Sequence, residues 1–97
     1  MEREQRRLIY QHFSALVDDV IPVDMLPYLS CLTSNDKEEI KCEETNHGPM
    51  RATQKLVERL TRRPNAFQEF IRALRETGCE HLAELLYPQE EGKLIPV

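Results

Sequence analysis

Residues 65–76 read NAFQEFIRALRE, and their apolar positions recur as they do along one face of an α-helix. Four apolar residues are spaced i, i+3, i+4 and i+7, the pattern of an amphipathic helix: Phe67, Phe70, Ile71 and Leu74. Asn65 is a typical N-cap residue, Gln68 stands at the capping-box position, and Gly78 can end the helix in a left-handed conformation. The segment therefore predicts a helix that buries one face.

The two predicted helices directly before this segment have clear starts. Thr33 followed by Asp36 has the form of a capping box, and the helix that it starts is predicted to end near residue 44. Pro49, directly after Gly48, fits the first position of the next helix, which is predicted to end near residue 63, before a proline. The inner face of that helix is predicted to consist of Met50, Thr53, Leu56, Val57 and Leu60.

The remaining segments complete a set of six predicted helices. A first helix is predicted over residues 2–20, and a second, short one is capped by Asp24. Residues 45–48 are predicted to form a loop, and a last helix over 79–87 is stopped by Pro88. Because each helix is too short to be stable alone and no strand-type alternation is visible, the sequence predicts an all-α, six-helix bundle.

Length and composition place the chain among small globular proteins. Its 97 residues argue for one domain, predicted over residues 1–88, with a tail or linker over 89–97. No apolar run approaches the roughly 20 residues that span a bilayer, so the sequence predicts that these 97 residues do not insert into a membrane. Three cysteines without regular spacing do not predict a disulfide framework, which favours a reducing, cytoplasmic setting.

The net charge of the chain is -4, and the acidic and basic residues are distributed unevenly along the sequence. Residues 13–46 hold eight of the acids and two lysines, whereas residues 48–75 hold seven basic residues against two acids. We expect the second and third helices to present an acidic face and the fourth and fifth a basic one. Opposed patches would allow head-to-tail docking between copies or relatives. The alternative, that the charges merely solvate the outer faces of helices, stays open.

Other functions find little support. Nucleic-acid binding is disfavoured, since the chain is acidic overall and no aromatic residues alternate with the arginines. The cysteines and histidines lack the spacing of a zinc site, so no metal or other cofactor is predicted. Cys79 and His81, two positions apart on a helix, point in different directions and do not predict a nucleophilic site. We therefore predict no enzymatic activity and no catalytic residues.

Several motifs resemble those of caspase-recruitment domains (CARDs) of the death-fold superfamily. Three resemble the CARD of the mitochondrial antiviral signalling adaptor: LPYLSCLT at 26–33, LTRRP at 60–64 and FIRALR at 70–75. Two look more like the tandem CARDs of the retinoic-acid-inducible RNA sensors: VIPVD at 20–24 and NHGPM at 46–50. The resemblance covers about residues 5–87. It departs after the Arg-Arg-Pro motif, where the adaptor has a Trp and Phe67 is expected to take over its packing.

The resemblance implies a six-helix Greek-key bundle that docks onto other CARDs. Such CARDs would be further copies of this chain, antiviral adaptor CARDs or RNA-sensor CARDs, assembling into oligomers or filaments in innate antiviral signalling. It also implies a cytoplasmic protein, brought to the mitochondrial outer membrane through a parent protein or partner. Two alternatives stay open: a regulatory or decoy CARD that inhibits assembly, and a CARD of apoptotic or inflammatory caspase signalling.

Candidate partner-binding residues follow from charge and resemblance together. Arg62 and Arg63 match basic interface positions of the adaptor CARD. The other basic candidates lie on the predicted basic helices: Arg59, Arg72 and Arg75. The acidic candidates are Asp18, Asp19, Asp24, Asp36, Glu38 and Glu39. Ubiquitin chains are a further candidate partner, with contacts or acceptors among Lys37, Lys41, Lys55 and Lys93, although nothing in the sequence selects one of these lysines.

Overall fold

The computed structural model describes residues 1–87, and in that part of the chain all regular structure is helical. The helices are α1 (Arg3–Gln11), α2 (Phe13–Asp19), α3 (Pro22–Met25), a 3-10 turn (Leu26–Tyr28), α4 (Ser34–His47), α5 (Pro49–Leu60), α6 (Ala66–Glu76) and α7 (Glu80–Leu86). The predicted all-α bundle is confirmed. The predicted stop at Pro88, the tail over 89–97 and Lys93 lie outside the described residues.

The first predicted helix is in fact two helices. The chain departs from helical geometry at His12, where φ is -107° and ψ is 22°, so the prediction of one continuous helix over 2–20 is wrong. The backbone N–H of His12 still bonds to the Leu8 carbonyl at 3.2 Å, which keeps α1 and α2 close together as one bent segment. Counted in this way, six helical segments form the bundle.

The second predicted helix starts differently from the expectation. Pro22 occupies its first turn, where the missing N–H leaves no helical hydrogen bond unmade. Ile21 precedes it without a side-chain cap, and Asp24 lies inside the helix, exposed, so the predicted capping role of Asp24 is wrong. A 3-10 turn around Pro27 then leads into the loop before α4.

The core forms around α5, which packs against α2, α3, α4 and α6, while α7 packs against α6. The predicted inner face of α6 is confirmed: Phe67, Phe70, Ile71 and Leu74 are buried. The prediction for α5 holds for all its members but one, since Met50 is 56% exposed. Met50 shares the buried face but lies at the very start of α5, whereas Ala52 in the same turn is fully buried.

A tight connection turns α4 back into α5. Helix α4 continues to His47, so the loop predicted over 45–48 is reduced to Gly48. Gly48 has a φ of +94°, a backbone conformation that side chains rarely adopt, and Pro49 follows at the first helical position as predicted. The two helices form a hairpin whose open end brings the start of α4 next to the end of α5.

Both ends of α6 depend on left-handed backbone. At its C-terminus Gly78 has a φ of +84°, and the Cys79 N–H donates to the Leu74 carbonyl at 2.7 Å, which is a Schellman motif as the glycine predicted. At its N-terminus Asn65 has a φ of +60° and makes no side-chain cap, so the predicted capping box with Gln68 is wrong.

The conformation of Asn65 predicts that two substitutions at this position change the free energy of unfolding differently. Asn65→Ala should lower the free energy of unfolding by about 1 kcal/mol, because a left-handed φ is costly for a residue with an ordinary Cβ. Asn65→Gly should leave the free energy of unfolding unchanged or raise it slightly, since glycine adopts this φ freely. Urea denaturation of the two variants measures the difference, and equal stabilities would contradict this account.

Candidate functional site

The Asp36 carboxylate organises the start of α4. The backbone N–H of Asp36 donates to the Thr33 hydroxyl at 3.0 Å, and Asp36 Oδ2 accepts from the Thr33 backbone N–H at 3.0 Å. This reciprocal capping box is the one that the sequence predicted. Asp36 is only 2% exposed, so its negative charge is held inside the domain rather than on its surface.

Arg59 of α5 and Arg63 of the turn that follows α5 neutralise this buried carboxylate. Arg63 Nη2 donates to Asp36 Oδ2 at 2.5 Å, and Arg59 Nη1 lies 3.5 Å from Asp36 Oδ1. Arg59 also forms an ion pair with Glu39, one turn further along α4. The side chains of Arg59 and Arg63 are 19% and 34% exposed. The group therefore forms a charged clamp, Asp36, Glu39, Arg59 and Arg63, which closes the open end of the α4–α5 hairpin.

The hydrogen bonds of the clamp determine the titration of Asp36. Burial alone would raise the pKa of Asp36. The hydrogen bonds from the Thr33 backbone and from Arg63, together with the charge of Arg63, outweigh burial and hold the pKa below its ordinary value. Asp36 is thus ionised at neutral pH, and the folded state depends on that charge.

The clamp corrects the expected separation of acidic and basic faces. Acids of α4 meet Arg59 of α5 and Arg63 of the following turn along one seam, because the hairpin places the two helices side by side. Asp36, Glu39, Arg59 and Arg63 are therefore engaged with one another within the chain. A sequence count of charges per segment could not reveal this, since it contains no information on which helix faces lie opposite each other.

Two more of the predicted residues are engaged within the chain. Arg75 Nη1 lies 3.0 Å from Glu80 and 3.3 Å from Glu84, so it joins α6 to α7. The Asp19 carboxylate lies 2.9 Å from His81 Nε2 and joins the end of α2 to α7. Both contacts join helices of the bundle. The Arg75 side chain is 24% exposed, whereas the Asp19 side chain is 47% exposed and stays reachable from the surface.

Five predicted residues keep their charges at the surface. Arg62 is 60% exposed and contacts Glu58, one turn earlier, at 3.2 Å. The other four are exposed and form no ion pair with any residue of the described part: Arg72, Asp18, Asp24 and Glu38. The structure thus divides the candidates into residues that bind within the domain and residues that are accessible to a partner.

A second carboxylate contact was missed by the sequence analysis. Glu69 of α6 accepts hydrogen bonds from the Ser30 hydroxyl at 2.7 Å and from the Cys31 backbone N–H at 2.9 Å. Burial alone would raise the pKa of Glu69, but these bonds outweigh it and hold the pKa below its usual value. The loop before α4 is thereby fixed to α6, and no local sequence pattern indicates a contact between segments so far apart.

The cysteines and histidines show no reactive arrangement. Burial, followed by the hydrogen bond to Glu69, raises the pKa of the Cys31 thiol to about 12, so this thiol stays protonated at neutral pH. Cys79 is buried with its Sγ 3.6 Å from the Asp19 carbonyl oxygen, and Cys42 is exposed.

Within residues 1–87 no group of His, Cys, Asp and Glu side chains is placed to hold a metal ion. None of the helices in this range has the length and apolar character needed to cross a membrane.

Asp36→Asn should lower the free energy of unfolding at pH 7 by about 2 kcal/mol, because it removes a charged acceptor from at least two hydrogen bonds. Since the pKa of Asp36 is depressed by folding, this contribution is complete above the unfolded pKa of about 3.9 and is lost as pH falls further. The stability difference from wild type should therefore be constant at pH 5–8 and shrink below about pH 4. Denaturant unfolding across this range measures it.

Glu38→Gln is the matched control, since Glu38 is an exposed acid of the same helix. It should change stability by less than about 0.5 kcal/mol at every pH. An Asp36→Asn deficit equal to that of the control, or one that does not shrink in acid, would contradict the role of the clamp.

Comparison with known proteins agrees with the fold. The sequence model of the caspase recruitment domain matches residues 1–90. Rat mitochondrial antiviral-signaling protein is 35% identical over 95 residues, which cover 98% of this chain and 18% of the rat protein. The mouse protein of the same name is 38% identical over 74 residues, covering 76% of this chain and 15% of the mouse protein.

The chain thus spans less than a fifth of the length of both relatives. The match to the family covers almost the whole chain and coincides with the all-helical bundle described above. The chain therefore belongs to the caspase recruitment domain family, whose members are protein-interaction modules and not enzymes.

Proposed function

We propose that this domain docks onto other CARDs through the charged residues that its own fold leaves accessible. The observation that carries the proposal is the contrast between two adjacent arginines. Arg63 is bound to the buried Asp36, whereas Arg62 is 60% exposed with its guanidinium contacting one surface acid, Glu58. Arg62 can exchange this weak surface pair for a carboxylate of a partner. Arg63 cannot do so, because its removal from the clamp would leave the buried Asp36 carboxylate uncompensated and would destabilise the folded domain.

The accessible charges include both signs, as docking between relatives requires. Arg62 and Arg72 supply accessible positive charges. The accessible negative charges come from three exposed acids: Asp18, Asp24 and Glu38. Complementary charges steer the approach of two proteins and fix the register of the contact. If the two sets engage different neighbours, the contact is head-to-tail and extends into an oligomer or filament.

The relatives supply the proposed biological setting. Both matched proteins carry the name mitochondrial antiviral-signaling protein, and the matches cover 98% and 76% of this chain. We infer for this domain a role in innate antiviral signalling, with the CARD of an adaptor or of an RNA sensor as its partner. Its site of action would be the cytoplasm, including the mitochondrial surface when the partner resides there.

Charge reversal at the two adjacent arginines should have different consequences. Arg62→Glu should leave the free energy of unfolding within about 0.5 kcal/mol of wild type, since the side chain is exposed, and should weaken docking at least tenfold. Arg63→Glu should instead lower stability by about 3 kcal/mol or more, because it places a second carboxylate against buried Asp36. Urea denaturation measures stability. Binding to the matching segment of the rat protein, followed by fluorescence anisotropy, measures docking.

Arg7→Glu provides the matched control for Arg62→Glu. Arg7 is also an exposed arginine with one surface pair, to Glu4 at 3.5 Å, but it lies on α1. It should leave both stability and docking unchanged. Undiminished docking of Arg62→Glu, or equal weakening by Arg7→Glu, would count against a specific role of Arg62.

A further inference from the structure

We propose that a hollow between α3 and α4 binds an acidic peptide segment that carries an apolar anchor residue. The hollow has a volume of about 270 Å³ and is lined by Val23, Leu26, Pro27, Lys37 and Lys41. Its floor is apolar and comes from α3 and the 3-10 turn, while its rim is basic and comes from α4. None of its lining residues is among the docking residues proposed above, although the exposed acids Asp24 and Glu38 directly follow Val23 and Lys37 in the chain.

The two lysines favour an anionic occupant. Lys37 and Lys41 are one helical turn apart, so both side chains project from the same face of α4. Neither forms an ion pair with any residue between positions 1 and 87, and no carboxylate lines the hollow. This distinguishes them from the clamped arginines, whose positive charges are matched inside the chain.

A comparable pair of basic residues on α5 shows the difference. Arg51 and Lys55 are also one turn apart, and they line a smaller hollow of about 130 Å³. That hollow is also lined by Glu43 and Glu58, and Lys55 lies 3.9 Å from Glu58. Its charge is therefore balanced internally, whereas the hollow at α3 and α4 has two positive charges that an external carboxylate can satisfy.

The apolar floor specifies the rest of the ligand. Leu26 is buried in the core, and Val23 and Pro27 extend its apolar surface to the rim. A leucine or similar side chain would cover this surface, while acidic residues on either side reach the two ammonium groups through charge-assisted hydrogen bonds. An acidic sequence without an apolar residue, or an apolar one without acids, would satisfy only half of the site.

The test uses the whole chain and fluorescein-labelled peptides followed by anisotropy. The peptide EDLEEL should bind, whereas KRLKKL, with reversed charge, and EDSEES, without leucine, should not. The double variant Lys37→Glu with Lys41→Glu should weaken binding of EDLEEL about tenfold, as expected for loss of two partly exposed ion pairs. The milder pair Lys37→Gln with Lys41→Gln gives the same direction if the first variant folds poorly.

Arg51→Glu with Lys55→Glu is the matched control, because it makes the same change at the same spacing on α5. It should leave binding of EDLEEL unchanged. Equal weakening by the control, equal binding of EDSEES, or no binding of EDLEEL would overturn the proposal. So would loss of self-association on reversal of Lys37 and Lys41, since the hollow would then be a contact between copies of the chain. None of these outcomes affects docking through Arg62.

Discussion

A buried carboxylate needs donors on all sides, and Asp36 obtains them from two different parts of the chain. The Thr33 backbone supplies one from the start of α4, and Arg63 supplies another from the turn that follows α5. Because an uncompensated charge in this position is costly, the two helix ends must stay together whenever Asp36 is ionised. The α4–α5 hairpin, on which α2, α3 and α6 pack, therefore depends on this one carboxylate.

This constraint also separates charges that are paired between helices from charges that stay accessible at the surface. Arg59, Arg63 and Arg75 contact acids on neighbouring helices and hold the bundle together. Arg62 and Arg72 point away from these contacts and remain at the surface. Neighbouring residues of identical chemistry, such as Arg62 and Arg63, thus have different surroundings, which depend on where the turn after α5 directs each side chain. A domain that docks through charge needs such a division, since docking must not compete with folding.

Much of the fold could be predicted from local patterns. The periodicity of residues 67–74, the capping box at Thr33 and the glycine at position 78 predicted features that the structure contains. The break at His12 and the left-handed Asn65 were missed, because tertiary packing decides these positions and no breaker residue marks the first.

The candidate site was less predictable than the fold. Charge counts correctly identified an unusual distribution but could not show that Asp36 and Glu39 lie opposite Arg59, since that depends on the hairpin. The bonds from Ser30 and Cys31 to Glu69 likewise join distant segments. The family resemblance identified the kind of domain, and the structure was needed to decide which arginine is accessible.

A double-mutant cycle between Asp36 and Arg63 measures how strongly the two side chains stabilise each other in the folded domain. Unfolding free energies of wild type, Asp36→Asn, Arg63→Gln and the double variant give the coupling between the two side chains at pH 7. The clamp described here predicts a favourable coupling of about 1–3 kcal/mol, as found for residues in one charged network. Additive effects, with a coupling below about 0.3 kcal/mol, would contradict it.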